Sequence, residues 1–113
     1  QRDKQWKKKI PEYAAEFQQA VVDVLVHKTI KAAKKYNCQN IMLCGGVAAN
    51  LALRNQLVMA VKNKLPGATL NIPELKYCTD NAAMVAAAGY FRAGRKKFIP
   101  WQKLKADANQ ELK

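Results

Sequence analysis

Acidic residues are scarce in this 113-residue chain: 8 Asp and Glu stand against 20 Lys and Arg, leaving a formal charge of +12. That imbalance favours a polyanion such as RNA as the partner. Histidine is scarcer, with His27 alone, so an HExxH zinc-protease motif is excluded. The three cysteines, Cys38, Cys44 and Cys78, form no CxxC pair and are too few and too scattered for a disulfide framework, which points to a reducing compartment. Cys44, inside an apolar run, reads as a small core residue. No apolar run approaches the roughly 20 residues that span a bilayer, and Gln1-Arg2-Asp3-Lys4 begins no apolar signal segment. The expectation is a soluble, cytoplasmic protein with no membrane partner. Position 1 is not Met and a helix starts almost at once, so a preceding part of a larger chain is expected to have been cut away.

Half of the residues are apolar, enough for one compact domain with a single core. The cations gather at Arg2 to Lys9, Lys28 to Lys35 and Arg92 to Lys97. Each cluster is either part of a phosphate-binding footprint or an ordinary solvated helix face. The chain divides on this reading into a basic leader, 1–10, a folded lobe, 11–95, and a basic, partly disordered tail, 96–113.

Pro11 suits the opening of a helix, and Ala14, Phe17, Val21, Val24 and Leu25 follow helical spacing. The helix is expected to run to about Tyr36 and to end at Asn37, which tolerates the left-handed conformation. Ile41 to Cys44 reads as a buried strand running into Gly45-Gly46, followed by a helix from about Ala48 to Lys64. Ala68 to Ile72 gives a second strand closed by Pro73, and Thr79 or Asp80 can cap a third helix reaching Gly94. That helix carries Ala82, Ala83, Ala86, Ala87, Ala88 and Gly89, small side chains that suit close packing against a neighbour. Phe98, Ile99 and Trp101 are placed to pin the tail back. The order αβαβα implies an α/β fold with a small sheet covered by helices. Two strands make a marginal sheet, so either further strands or an uncovered surface is expected.

The segment Gly45-Gly46-Val47-Ala48-Ala49-Asn50 lies between the first strand and the second helix. Glycines there let a ligand approach the backbone, and a helix N-terminus offers N–H groups to a polar or anionic group. Asn50, expected in the first helical turn, could bond a ribose hydroxyl or a base edge. The plainer alternative is a tight turn and nothing more. Tyr77-Cys78-Thr79-Asp80-Asn81-Ala82-Ala83-Met84 lies at the other βα junction. Ligands of α/β sheets bind where such junctions converge, and the Asp80 carboxylate suits a hard or borderline cation. The alternative is that Asp80 only caps the third helix.

GGVAAN followed by Leu53-Arg54, then CTDNAAM and Gly89-Tyr90, resembles the TsaD/Gcp family, tRNA adenosine threonylcarbamoyltransferases once labelled O-sialoglycoprotein endopeptidases. Phe17-Gln18 to Lys28-Thr29 is similar to that family as well, so the resemblance covers roughly Tyr13 to Arg92. It implies the second lobe of an ASKHA fold, related to actin and sugar kinases. It also implies that Asn50, with Gly45 and Gly46, holds the adenylate of the substrate, and that Asp80 is a ligand of one divalent metal ion, iron or zinc. The reaction implied moves a threonylcarbamoyl group from its adenylate to N6 of the adenosine beside the tRNA anticodon. The implied partners are tRNA, a paralogous scaffold subunit and a small ATPase, and the GGVAAN form looks bacterial or organellar.

The family's other metal ligands are two histidines in HxxxH, and here Lys31 follows His27 at that spacing. His27 is therefore read as a surface or core-edge residue. The chain alone is expected to be inactive and to retain no metal. The older metallopeptidase label finds no base or nucleophile pair in this sequence. A noncatalytic basic RNA-binding or scaffold module is the remaining alternative, and the presence of both Asn50 and Asp80 favours the catalytic branch.

Overall fold

The computed structural model describes residues 6–96 and 98–106. Residues 1–5 of the basic leader, Lys97 of the third cationic cluster and 107–113 of the tail lie outside the described residues. The chain divides into two compact units, Gln1–Thr79 and Asp80–Lys113, a finer division than the single lobe at 11–95.

In the first unit, helix α1 spans Ile10–Lys35, with Pro11 in its first turn, Glu12 near its positive end and Lys34 and Lys35 near its negative end. Its stop is the one expected. Asn37 adopts φ 50, its N–H donates to Lys34 at 3.3 Å, and the Cys38 N–H donates to Ala33 at 2.9 Å. These two bonds around a left-handed residue satisfy carbonyls that the helix end leaves open.

Strand β1, Asn40–Met42, runs parallel to β2, Thr69–Asn71, with Ile41 opposite Leu70. Helix α2, Leu51–Lys64, makes the crossover between them. Side chains alternate across a strand, so Ile41 and Leu70 share the face that meets the helices. There Ile41 joins Ile30 and Ala33 of α1 and Leu57 and Val61 of α2 in one buried cluster, with Val26, Leu43 and Leu70 packed on it.

The opposite sheet face is bare: Met42 is 73% exposed and Cys44 is exposed. This corrects the core assignment of Cys44 and the fully buried strand. The cause is that α1 and α2 both pack on the Ile41 side, so the next residues in alternation face outward. The first part of α1, as far as Val24, also keeps apolar surface open, with Phe17 73% exposed and Tyr13, Val21 and Val24 exposed as well.

In the second unit, helix α3 spans Ala82–Gly94 and buries none of its residues. The alanine-rich stripe is thus not packed in as expected, because no element of its own unit covers it. Phe98, Ile99 and Leu104 line a groove of about 290 Å³ with Gly89, Arg92 and Ala93 of α3. Trp101, in a short 3-10 turn at Trp101–Lys103, is 77% exposed and pins nothing. No helix among the described residues is long and apolar enough to cross a membrane.

Candidate functional site

The glycine segment forms a defined turn. Gly45 adopts φ 83 and ψ 177, a region that side-chain-bearing residues rarely enter. It leads into a 3-10 turn at Gly46–Ala49, closed by Ala48 N–H to the Gly45 carbonyl and Asn50 N–H to the Val47 carbonyl, both 3.0 Å. Ala48 is fully buried, which anchors the turn in the body of the first unit while Val47 stays exposed.

Asn50 is the N-cap of α2 rather than a residue of its first turn. The 3-10 turn consumes Gly46 to Ala49, so the α-helix begins only at Leu51. The Asn50 Oδ1 accepts the Leu53 N–H at 3.0 Å, and Nδ2 donates to Gln18 Oε1 of α1 at 3.0 Å. The cap satisfies one open N–H of the helix start, and the second bond fixes the amide's orientation. Gln19, the next residue on α1, and Gln56 of α2 exchange reciprocal amide bonds of 3.1 and 2.9 Å.

Val47 and Asn50 sit at the lip of a groove of about 260 Å³ whose apolar wall is Phe17, Val21 and Leu25 of α1. Gln18 lines it as well. An apolar wall with a few convergent amides is the usual composition of a small-molecule site. Gly45, Gly46 and Asn50 are thus brought together in one turn beside a concave surface. Gln18 had appeared in the sequence only inside a longer similar stretch, and no local pattern ties residue 18 to residue 50.

Asp80 opens the second unit and is exposed. It does not cap α3, and neither does Thr79. Asn81 does, its Oδ1 accepting the Met84 N–H at 3.0 Å. An N-cap side chain reaches the N–H three residues on, and α3 starts at Ala82, so only Asn81 has the right offset. That leaves the Asp80 carboxylate without the structural duty expected as its alternative role. Among the described residues no group of three or more His, Cys, Asp or Glu could hold a metal ion. His27 is exposed, as read from the sequence. It lines a groove of about 620 Å³ with Lys31, Lys34, Lys64 and Asp23.

The family model for TsaD, tRNA N6-adenosine threonylcarbamoyltransferase, matches residues 4–87. The tRNA N6-adenosine threonylcarbamoyltransferase of Syntrophomonas wolfei is 55% identical over 87 residues, 77% of this chain and 25% of that protein. Those of Listeria welshimeri and Geobacillus thermodenitrificans are each 59% identical over 76 residues, 67% of this chain and 22% of theirs. The chain spans about a quarter of the length of these curated relatives. With the glycine turn, its asparagine cap and Asp80 all inside the matched residues, the chain belongs to the TsaD family of tRNA N6-adenosine threonylcarbamoyltransferases.

Proposed function

We propose that this chain is the nucleotide-holding part of the second lobe of an ASKHA-type transferase, which moves threonylcarbamoyl from its adenylate to N6 of the adenosine beside the tRNA anticodon. The observation that carries the reading is the turn at Gly45 to Asn50: a glycine at φ 83, a buried Ala48 and a capped helix start beside an apolar groove. A base would lie against the apolar wall while the turn's N–H groups and the Asn50 amide meet ribose and phosphate. In the transfer, N6 attacks the carbamoyl carbon, the bond to the phosphate oxygen breaks, AMP leaves with the electron pair and N6 gives up a proton.

Asp80 would supply one carboxylate to a divalent cation, iron or zinc, with the other ligands outside these residues. When bound, such a cation polarises a carbonyl. The partner reading rests on charge. Lys31, Lys34 and Lys64 around one groove, in a chain of +12, suit tRNA phosphate, giving an affinity that falls steeply with salt. The reading extends to a scaffold subunit and a small ATPase as protein partners, and the chain alone would lack transfer activity.

Titration of AMP into labelled chain tests the reading. Amide signals of Gly45 to Asn50 are expected to shift together. Shifts confined to the lysine-rich segments would defeat it and leave only nonspecific phosphate binding. In the complete enzyme, Asp80→Ala is expected to lower metal content and transfer together, and unchanged values of both would remove the ligand role.

A further inference from the structure

Leu53-Arg54 belongs to the sequence pattern by which the chain resembles its family, and Arg54 has no part in the groove described above. Its side chain nevertheless meets three acceptors on two separate segments. Nε donates to the Ala48 carbonyl inside the 3-10 turn, six residues back. Nη2 donates to the Pro73 carbonyl just past β2, at 2.7 Å and 19 residues on, and to Cys78 Sγ at 2.9 Å, 24 residues on. Cys78 is 3% exposed, and its thiol donates in turn to the Glu74 carbonyl at 3.5 Å.

The acceptors are two carbonyls and a thiol, with no carboxylate, so the cation serves here as a rigid fork. Only a planar guanidinium offers several N–H donors at fixed angles from one side chain. A lysine ammonium presents all its donors from one nitrogen, whereas Arg54 meets the two segments from two nitrogens, Nε and Nη2. One end of the fork holds the turn that contains Gly46 and Ala48. The other holds Cys78, two residues before Asp80 in the chain.

We propose that Arg54 is a positioning residue, locking the Gly45 to Asn50 turn to the segment Pro73 to Cys78 so that nucleotide affinity depends on a side chain whose hydrogen bonds all go to protein. The inference rests on the adenylate reading of that turn. Arg54→Lys keeps the charge and most of the volume and removes the fork. It is expected to raise the AMP dissociation constant about tenfold, the worth of one charge-assisted hydrogen bond. In a background with the exposed Cys38 and Cys44 replaced by Ser, it is also expected to speed the reaction of Cys78 with a maleimide. In the complete enzyme the KM for threonylcarbamoyl-adenylate should rise more than kcat falls, a split that general destabilisation would not give.

Wild-type AMP affinity and wild-type Cys78 reactivity in Arg54→Lys would overturn the inference and leave the adenylate reading standing. Absence of any AMP-induced shift in the unsubstituted chain would overturn that reading instead, and the Cys78 rate would then decide alone whether the fork holds its two segments. If Arg54→Lys does not fold, Cys78→Ala removes one acceptor and keeps a small apolar group in a buried place. It is expected to weaken AMP binding roughly threefold, and unchanged binding counts against the proposal.

Discussion

Helices α2 and α3 each start at an asparagine whose Oδ1 accepts the N–H three residues on at 3.0 Å, yet α2 buries Leu53, Leu57 and Val61 whereas α3 buries nothing. The same local device thus serves two kinds of helix. α2 is held by the core it shares with α1 and β1, and its cap is further tied to Gln18. α3, at 13 residues, has its cap, the helix propensity of its alanines and an open groove shared with Phe98, Ile99 and Leu104, and without a buried face a helix of about that length is marginal. The difference teaches that a good helix sequence and a well-held helix are separate properties, and that the glycine turn sits on the well-held one.

The sharpest way to break this comparison is to truncate one apolar side chain to alanine in each helix. Leu57→Ala should lower the unfolding free energy by about 2–5 kcal/mol, since it empties a buried site shared by three elements. Val85→Ala, on an exposed position of α3, should stay within about 0.5 kcal/mol. Denaturant midpoints measure both, and equal losses would mean that α3 is as deeply held as α2.

Glycine replacement gives a smaller contrast with opposite signs. Gly45→Ala meets no atom within 4 Å but must adopt φ 83, so it should cost about 1–3 kcal/mol through backbone strain alone. Gly89→Ala, with open space around it inside a helix, should raise the local stability of α3 by about 1 kcal/mol. Amide exchange in each helix reads the two effects separately. A neutral Gly45→Ala would show that the turn relaxes readily into an ordinary conformation.

The smallest effect comes from the caps. Asn50→Ala and Asn81→Ala should each cost about 1 kcal/mol of local helix stability. Only Asn50→Ala should also loosen α1, because it alone loses a bond to Gln18. Exchange rates along α1 that respond equally to both substitutions would erase the distinction between the helices.

Much of this was legible from neighbours along the chain. Pro11 and Asn37 bracket α1 through φ preferences, the apolar run after Asn40 gives β1, and Pro66-Gly67 and Pro73 bound β2, because turn and cap chemistry acts over two to four residues. The order αβαβα followed directly. The errors lie where an offset of one residue or the presence of a neighbour matters. Asn81 outcompeted Thr79 and Asp80 as cap because α3 begins at Ala82, and a run Thr-Asp-Asn offers three capping side chains that local chemistry cannot rank. Cys44 and the alanines of α3 look like core by composition, and exposure depends on whether another element lies over them.

The sequence by itself determined the charge imbalance, the order of elements, the helix stop at Asn37 and the two motif segments with Gly45, Gly46, Asn50 and Asp80. Each of these depends on residue type or on spacing within a few positions. Only the tertiary structure decided that Ile41 and Leu70 face both helices and that Gln18 reaches Asn50. It also decided that Arg54 spans to Ala48, Pro73 and Cys78. The hydrogen bonds among them join residues up to 32 positions apart, and at such separations local preference carries no information about which side chains the packing of helix on sheet will bring within reach.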